Sequence, residues 1–294
     1  MTAFRCGTVA LVGRPNTGKS SLLNRIVGEK LAIVSAKPQT TRHPVSGILT
    51  TAQRQYVFLD APGFQTRHVD ALNRALNRRA AQAAREADVV GFVVAAPEFG
   101  VADRAALGQV PAAQRVVAIV NMVDRVKSNG VLLPLVDRVA RERDFAAIVP
   151  VSARTGKNVP ELLRVLGDLL PEGPAGYPAD QLTDRDERFL AAEILREKLF
   201  RLLGAELPYR CEVVLEGFRQ ERRLRRIEAT VWVERESQKP IVVGADGARL
   251  KRIASDARRD MERLFDGRVY LGVWVKVKRG WSEDAGLLKR LGYG

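Results

Sequence analysis

Residues 13 to 20 read GRPNTGKS, directly after the apolar run TVALV and directly before the amphipathic stretch SLLNRIVG. A glycine-rich turn that joins a strand to a helix and closes in Lys-Ser constrains the fold more than any other feature of the chain. It turns successive backbone N–H groups inward around a phosphate and adds the positive end of a helix dipole. Gly13 and Gly18 permit the curl, and Asn16, Thr17 and Ser21 complete the loop and its exit. Lys19 is placed to reach β- and γ-phosphates, and the Ser20 hydroxyl to bind magnesium.

Between residues 7 and 170, apolar runs alternate with amphipathic stretches. GTVALVG, YVFLD, DVVGFVVAA, RVVAIVN and AAIVPVS read as buried strands, and KSSLLNRIVG, VDALNRALNRRAAQAAREA and LPLVDRVARERD as helices. That alternation implies a mostly parallel sheet with helices on both faces. VSGILTTAQRQYVFLD reads instead as two strands around a short turn, which makes one edge strand antiparallel. The Pro- and Gly-rich segment PEGPAGYPADQLT, 171 to 183, marks a linker, so domains are expected at 1–170 and 184–294. The second opens with the helix DRDERFLAAEILREKLFRLLG, whose Phe189, Leu190, Ile194, Leu195 and Leu199 share a face. Strands CEVVLEGF and RIEATVWVE follow, then an apolar approach to GADG, a basic helix and a last strand RVYLGVWVKVK. Helices with antiparallel strands in this order read as a compact α+β module.

A formal net charge of +14 favours a polyanionic partner, nucleic acid or an acidic membrane surface. The excess is spread over both halves but clusters in RQERRLRR, ARLKRIASDARR and KVKR. Cys6 and Cys211 lack CxxC spacing and have only His43 and His68 as co-ligands, which argues against a disulfide framework or zinc site and fits a reducing cytosol. MTAFRCGTVALVG reads as a first strand rather than a signal peptide. The longest other apolar run, 89 to 96, is less than half the roughly 20 residues of a spanning helix.

Further strand ends point toward the same ligand. Asp60 in DAPG can hold magnesium through water while the Gly63 N–H senses a γ-phosphate. The polar loop SAKPQTTRH can close over that phosphate and lend a threonine hydroxyl, Thr41 or alternatively Thr40. Lys19, Thr41 and Gly63 are thus the residues set at the reacting phosphate. In NMVD, Asp124 can accept from both N1–H and the 2-amino group of guanine, Asn121 can tie neighbouring loops, and Met122 lies between them. In VPVSARTG, the backbone N–H groups at Ser152 and Ala153 can meet the guanine O6. The series points to GTP and GDP.

GRPNTGKS, QTTRH, DAPG, NMVD and VSA, in that order, resemble the five guanine-nucleotide motifs of translation-factor-like GTPases. The linker, the tail GADGARLKRIASDARRDMERLF and VWVKVKRGW narrow the resemblance to the Era family, in which a P-loop GTPase domain is fused to a type II KH domain. The resemblance spans nearly the whole chain. It implies a magnesium-dependent, GTP-hydrolysing factor for small (30S) subunit assembly and 16S rRNA maturation, acting as a monomer on the 30S precursor. It also implies RNA binding near the 3′ end of small-subunit ribosomal RNA and a cytoplasmic protein loosely associated with the inner membrane. Within it, KPIVVG becomes a short helix, GADG is the GxxG loop of Gly244 and Gly247, and Ile241, Val242, Leu250 and Ile253 form an apolar floor under the bases, although all four also read as core and Leu250 and Ile253 as both.

Departures from the family pattern carry their own expectations. The GxxG loop holds Ala245 and Asp246, so Arg249, Lys251 and Arg252 must supply the attraction for phosphates, with salt-sensitive affinity. Phe64 follows DAPG where many GTPases carry a water-orienting Gln, which implies slow intrinsic hydrolysis, on the order of 10⁻⁴ to 10⁻² per second. Asn16 resembles the residue through which related GTPases hold potassium. Met122 stands where most relatives have Lys. The reading is of a nucleotide-switched RNA-binding GTPase in which GTP orders the loop around Thr41 and Gly63 and gates RNA binding. The rival is a nucleotide-locked RNA clamp or membrane-surface adaptor with negligible turnover.

Overall fold

The computed structural model describes residues 3–293 except 36, 38, 66–69, 127, 205 and 206. Two residues of the loop SAKPQTTRH therefore lie outside the described set. By internal contacts the chain divides into a unit of Met1–Asp184 and one of Arg185–Gly294.

In the first unit, β1 (Arg5–Val12), β4 (Val89–Ala95), β5 (Val116–Asn121) and β6 (Ala147–Pro150) are parallel, with β3 (Arg54–Asp60) beside β1. The hairpin partner β2 (Val45–Thr50) runs antiparallel to β3 at one edge, and the strand order is β2-β3-β1-β4-β5-β6. VVGFVVA is buried at every position, as a central strand covered on both faces requires. Even-numbered residues of β1, β4 and β5, among them Val12, Phe92 and Val120, form one core with α2 (Ala71–Glu86), α3 (Val101–Leu107) and α4 (Asn129–Ala140). On the strand β3 side, α5 (Val159–Leu169) packs close enough for Leu163 O to accept from the Tyr56 hydroxyl at 2.8 Å. The segment 171–183 lies against this unit: Gln55 Oε1 accepts from the N–H groups of Gly176 and Tyr177, and Leu182 O accepts from Ile48 N.

In the second unit, α6 (Glu187–Leu202) starts under an Asp186 cap that accepts from Phe189 N. Strands β7 (Cys211–Glu221) and β8 (Leu224–Val233) form an antiparallel hairpin with a bulge between Leu215 and Gly217. KPIVV is helical, α7 (Lys239–Val243), and is followed by the GADG loop and α8 (Ala248–Leu264). The final strand β9 (Arg268–Val277) pairs parallel to β8, not antiparallel as the strand sequence alone suggests. The two intervening helices carry the chain back to the end from which β8 starts, and a crossover of that kind yields a parallel neighbour. Helices cover one face of the sheet, where Ile227, Ala229, Val231, Val275, Ile253 and Met261 form the core. After β9 the chain buries Trp281, adds the short helix α9 (Ala285–Arg290) and ends with Tyr293 Oη donating to Glu212 Oε2 at 2.7 Å.

Candidate functional site

Strand β1 runs out at Val12 and helix α1 (Lys19–Val27) begins seven residues later, so the intervening loop is anchored at both ends by regular structure. The Lys19 side chain folds back over the loop: Nζ donates to Arg14 O at 2.9 Å and Gly13 O at 3.4 Å. Burial lowers the Lys19 pKa to about 8, with the Asp60 carboxylate opposing that effect and Arg14 adding to it. A buried ammonium with carbonyl partners alone is poised for an anion. The Thr17 hydroxyl is turned back to Arg14 O at 3.2 Å, so at Thr17 only the main chain faces a ligand. Asn16 takes a left-handed conformation at φ 62°.

Three oxygens meet beside the loop. Asp60 Oδ2 accepts from Ser20 Oγ at 2.6 Å and Thr41 Oγ1 at 3.1 Å, and the two hydroxyls are 2.9 Å apart. Thr40 bonds within its own loop, to Ser35 Oγ and Lys37 O, so Thr41 is the threonine delivered to this cluster. One carboxylate and two hydroxyls are hard donors that suit magnesium. After Asp60 the chain turns onto the phosphate loop: a Cβ on Gly63 would stand 2.7 Å from both Pro15 Cα and Pro15 N. Only glycine permits that approach. Phe64 N donates to Gly13 O at 3.1 Å while its ring is buried in the core beneath, so this position offers the phosphate side no polar group.

On the base side, Asn121 at the end of β5 joins three segments. Its Nδ2 donates to Thr17 O at 2.9 Å, and its Oδ1 accepts from Ala153 N at 3.0 Å. The Ala153 N–H, expected at a guanine O6, donates here to Asn121 Oδ1, and Ser152 N donates to Lys157 O, so both residues also tie the base loop together. Asp124 accepts from Ser152 Oγ and from Arg154 Nε at 2.7 Å. The Ser152 hydroxyl holds the Asp124 carboxyl below the usual carboxylate range, and Arg154 adds to that. Met122, in a left-handed conformation at φ 65°, lines a cleft of about 400 Å³ with Gly18, Lys19, Ser20, Ser21, Thr41 and Gly63.

Three residues here escaped the sequence reading. Arg125 also lines the cleft, and no described residue takes its guanidinium. Arg14 is held by Asp103 at 2.8 Å, which braces the phosphate loop against α3. Arg154 covers one Asp124 oxygen. Arg125 was discoverable as a cation adjoining NMVD, whereas nothing in the sequence links Arg14 to a partner 89 positions away.

In the second unit, Gly244 and Gly247 take φ of 78° and 77°, and Asp246 lies exposed at φ 47° between them. Lys251 and Arg252 are exposed, while the Arg249 guanidinium donates to Ile241 O. Val242 and Ile253 are fully buried, so the expected apolar floor is reduced to Ile241, 47% exposed, and half-buried Leu250.

Residues 8–128 match a family described as 50S ribosome-binding GTPase, and residues 206–282 match the KH domain family. The chain is 48% identical over 292 residues to the GTPase Era of Nitrosomonas eutropha, covering 99% of each chain. It is 49% identical over 291 residues to that of Chromobacterium violaceum, covering 99% of this chain and 98% of the relative. Among solved structures, an Aquifex aeolicus Era variant bound to GDP·AlF₄⁻ superposes with a TM-score of 0.95 at 35% identity, covering 99% of this chain and 100% of that one. An Era in complex with MgGDPNP and nucleotides 1506–1542 of 16S ribosomal RNA gives 0.94 at 35% identity, covering 99% of both. With the phosphate loop, the three-oxygen cluster and the Asn121–Asp124 base site on one unit and a GxxG loop on the other, the chain belongs to the Era family of GTPases.

Proposed function

We propose that this chain binds GTP, hydrolyses it to GDP and phosphate, and uses the cycle to govern its hold on small-subunit ribosomal RNA near the 3′ end during 30S assembly and 16S rRNA maturation. The observation that carries the reading is the convergence of Ser20, Thr41 and Asp60 on one point beside Lys19. Ser20, Thr41 and Asp60 are the residues to hold magnesium, which when bound neutralises charge on the β- and γ-phosphates. Lys19 meets the same phosphates as an ammonium, the Gly63 N–H faces the γ-phosphate, and Asp124 reads the guanine edge. No side chain among the described residues of the site is placed as a nucleophile, so water attacks and the protein contributes position and fixed charge. Potassium at Asn16 belongs to the same proposal, and faster phosphate release in potassium than in sodium buffer supports it.

RNA enters through the loop at Gly244 and Gly247, with Ile241 and Leu250 under the bases and Lys251, Arg252 and Arg249 toward phosphates. The relative solved with 16S nucleotides 1506–1542 supports that choice of RNA. Residence in the cytoplasm with peripheral contact to the inner membrane rests on the family resemblance and the charge of +14; no helix among the described residues is long and apolar enough to cross a membrane. Binding of RNA of that 1506–1542 sequence, measured by anisotropy for the wild type and for Gly244→Asp with Gly247→Asp, tests the RNA half. Weaker, still salt-sensitive binding by the double variant is expected, and unchanged binding would remove the loop from the account.

A further inference from the structure

The face of the β7–β8–β9 sheet turned away from its helices carries two of the most exposed aromatic side chains among the described residues, Tyr270 at 46% and Trp274 at 50%. They share that face because strand side chains alternate, and four residues along β9 set them about 13 Å apart. Gly272 lies between them. A Cβ on Gly272 would stand 2.8 Å from Trp274 Cη2 and 3.1 Å from Cζ3. The six-membered ring of the indole therefore leans over the bare glycine while Trp274 stays 50% exposed. An exposed indole held against the sheet in this way offers a surface for stacking.

Cations share this face with the two rings. The Arg226 guanidinium, opposite Tyr270 in register, sits 4.6 Å from that ring's centroid. Lys276 is opposite Trp232, and Lys278 Nζ is 5.9 Å from the Trp232 ring. The carboxylates of this face, Glu216, Glu221 and Glu228, belong to β7 and β8, with Glu216 3.8 Å from Lys276 and Glu221 3.6 Å from Arg226. On this face Arg268 and Lys276 lie on the edge strand β9, which holds no carboxylate, and Lys278 follows it, while β7 and β8 carry Arg219 and Arg226 beside the acids. Strand β9 is also the one that α7, the helix leading into the GxxG loop, packs against.

We propose that the open face of β9 is a second single-stranded RNA surface, on which Trp274 and Tyr270 stack successive unpaired bases while Arg268, Lys276 and Lys278 track the phosphates. Stacking on an aromatic ring tolerates any base, and a basic strand edge beside it is the usual means by which single strands are held. This deepens the RNA reading above and rests on it.

The test uses the full chain and RNA of the 16S 1506–1542 sequence. Of the three tryptophans, Trp281 is fully buried and Trp232 half-buried, so quenchable emission comes chiefly from Trp274. Protection of that emission from acrylamide on RNA addition is expected. Trp274→Ala should weaken RNA binding about tenfold, within the range measured for loss of one base–aromatic stack, and Trp274→Phe should keep most of the affinity. Gly272→Val, which retains the indole but lifts it off the sheet, should weaken binding as Trp274→Ala does. Melting temperature and phosphate release without RNA should stay unchanged in all three, since the ring lies outside both cores. Wild-type binding by Trp274→Ala and Gly272→Val, beside a weakened Gly244→Asp, Gly247→Asp variant, would overturn the platform and leave the RNA reading standing. No binding by the wild type would remove both. Protection of Trp274 by phosphatidylglycerol vesicles but not by RNA would overturn the platform in favour of a membrane contact.

Discussion

The Ser20 hydroxyl stands 2.6 Å from Asp60 Oδ2, although one closes the phosphate loop and the other ends a strand 40 positions later. Parallel pairing of β1 with β3, in which Leu11 is opposite Asp60, is what makes these two residues neighbours. In the proposed function the pair marks where a divalent cation enters, and Asp60 is the carboxylate placed there. Asp60→Asn removes the charge while keeping the shape. It should weaken magnesium-dependent nucleotide binding about tenfold or more, the scale of a lost charged contact worth roughly 1.5–3 kcal/mol. Nucleotide titration with magnesium and with a chelator checks this: the variant should lose the difference between the two conditions.

Lys19 gives the nucleotide site a defined pH response. With its pKa lowered to about 8, the empty site sheds a proton near that pH, and polyphosphate binding must restore it. Above pH 8, affinity for GDP should fall by up to about tenfold per unit, with proton uptake visible as a buffer-dependent binding enthalpy. Guanosine, which lacks phosphates, should not follow that slope. The same shift acts oppositely on the free protein. The unfolded chain keeps its lysine proton to about 10.5, so Lys19 costs stability below pH 8 and the cost is relieved as pH rises between the two values.

In the proposed function base choice rests on Asp124, which the Ser152 hydroxyl orients and holds below the usual carboxylate range. Asp124→Asn presents a donor where guanine also presents one, so GDP binding should fall by at least about tenfold while xanthosine diphosphate gains. Competition between the two diphosphates measures it. Equal loss for both would make Asp124 a structural residue.

Met122 keeps a flexible apolar stem beside Gly18, with its Cε 3.3 Å from where a Gly18 Cβ would lie, but has no charged tip. Arg125 lines the same cleft and is placed to supply that charge. Met122→Lys should tighten GDP binding by about 1 kcal/mol, the scale of one net hydrogen bond. Arg125→Ala should weaken it in the wild type and do little in the Met122→Lys background. Additive effects in this double-mutant cycle would separate the two residues.

Much of the nucleotide site was legible in the sequence because each contributing strand carries an apolar run that stops, at its carboxyl end, on a glycine or a polar residue: Gly13, Asp60, Asn121 and Ser152. Contacts made by side chains across distant segments were not. Arg14 with Asp103 and Arg154 with Asp124 are surface-type residues whose partners only the folded sheet edge selects. Val242 and Ile253 looked like a binding floor because apolar residues near a loop serve core and surface alike, and here burial assigns both to the core. The direction of β9 is hidden for a different reason: strand content alone does not show that the two intervening helices return the chain to the start of β8.

Hydrolysis coupled to RNA is the central property proposed for this chain. Phosphate release from GTP, followed with and without RNA of the 16S 1506–1542 sequence, tests it most directly. Slow release from the protein alone, on the order of 10⁻⁴ to 10⁻² per second, rising when RNA is added and lost in Asp60→Asn, is the predicted result. Tight GTP binding with no phosphate release in either condition would contradict it and leave a nucleotide-locked clamp.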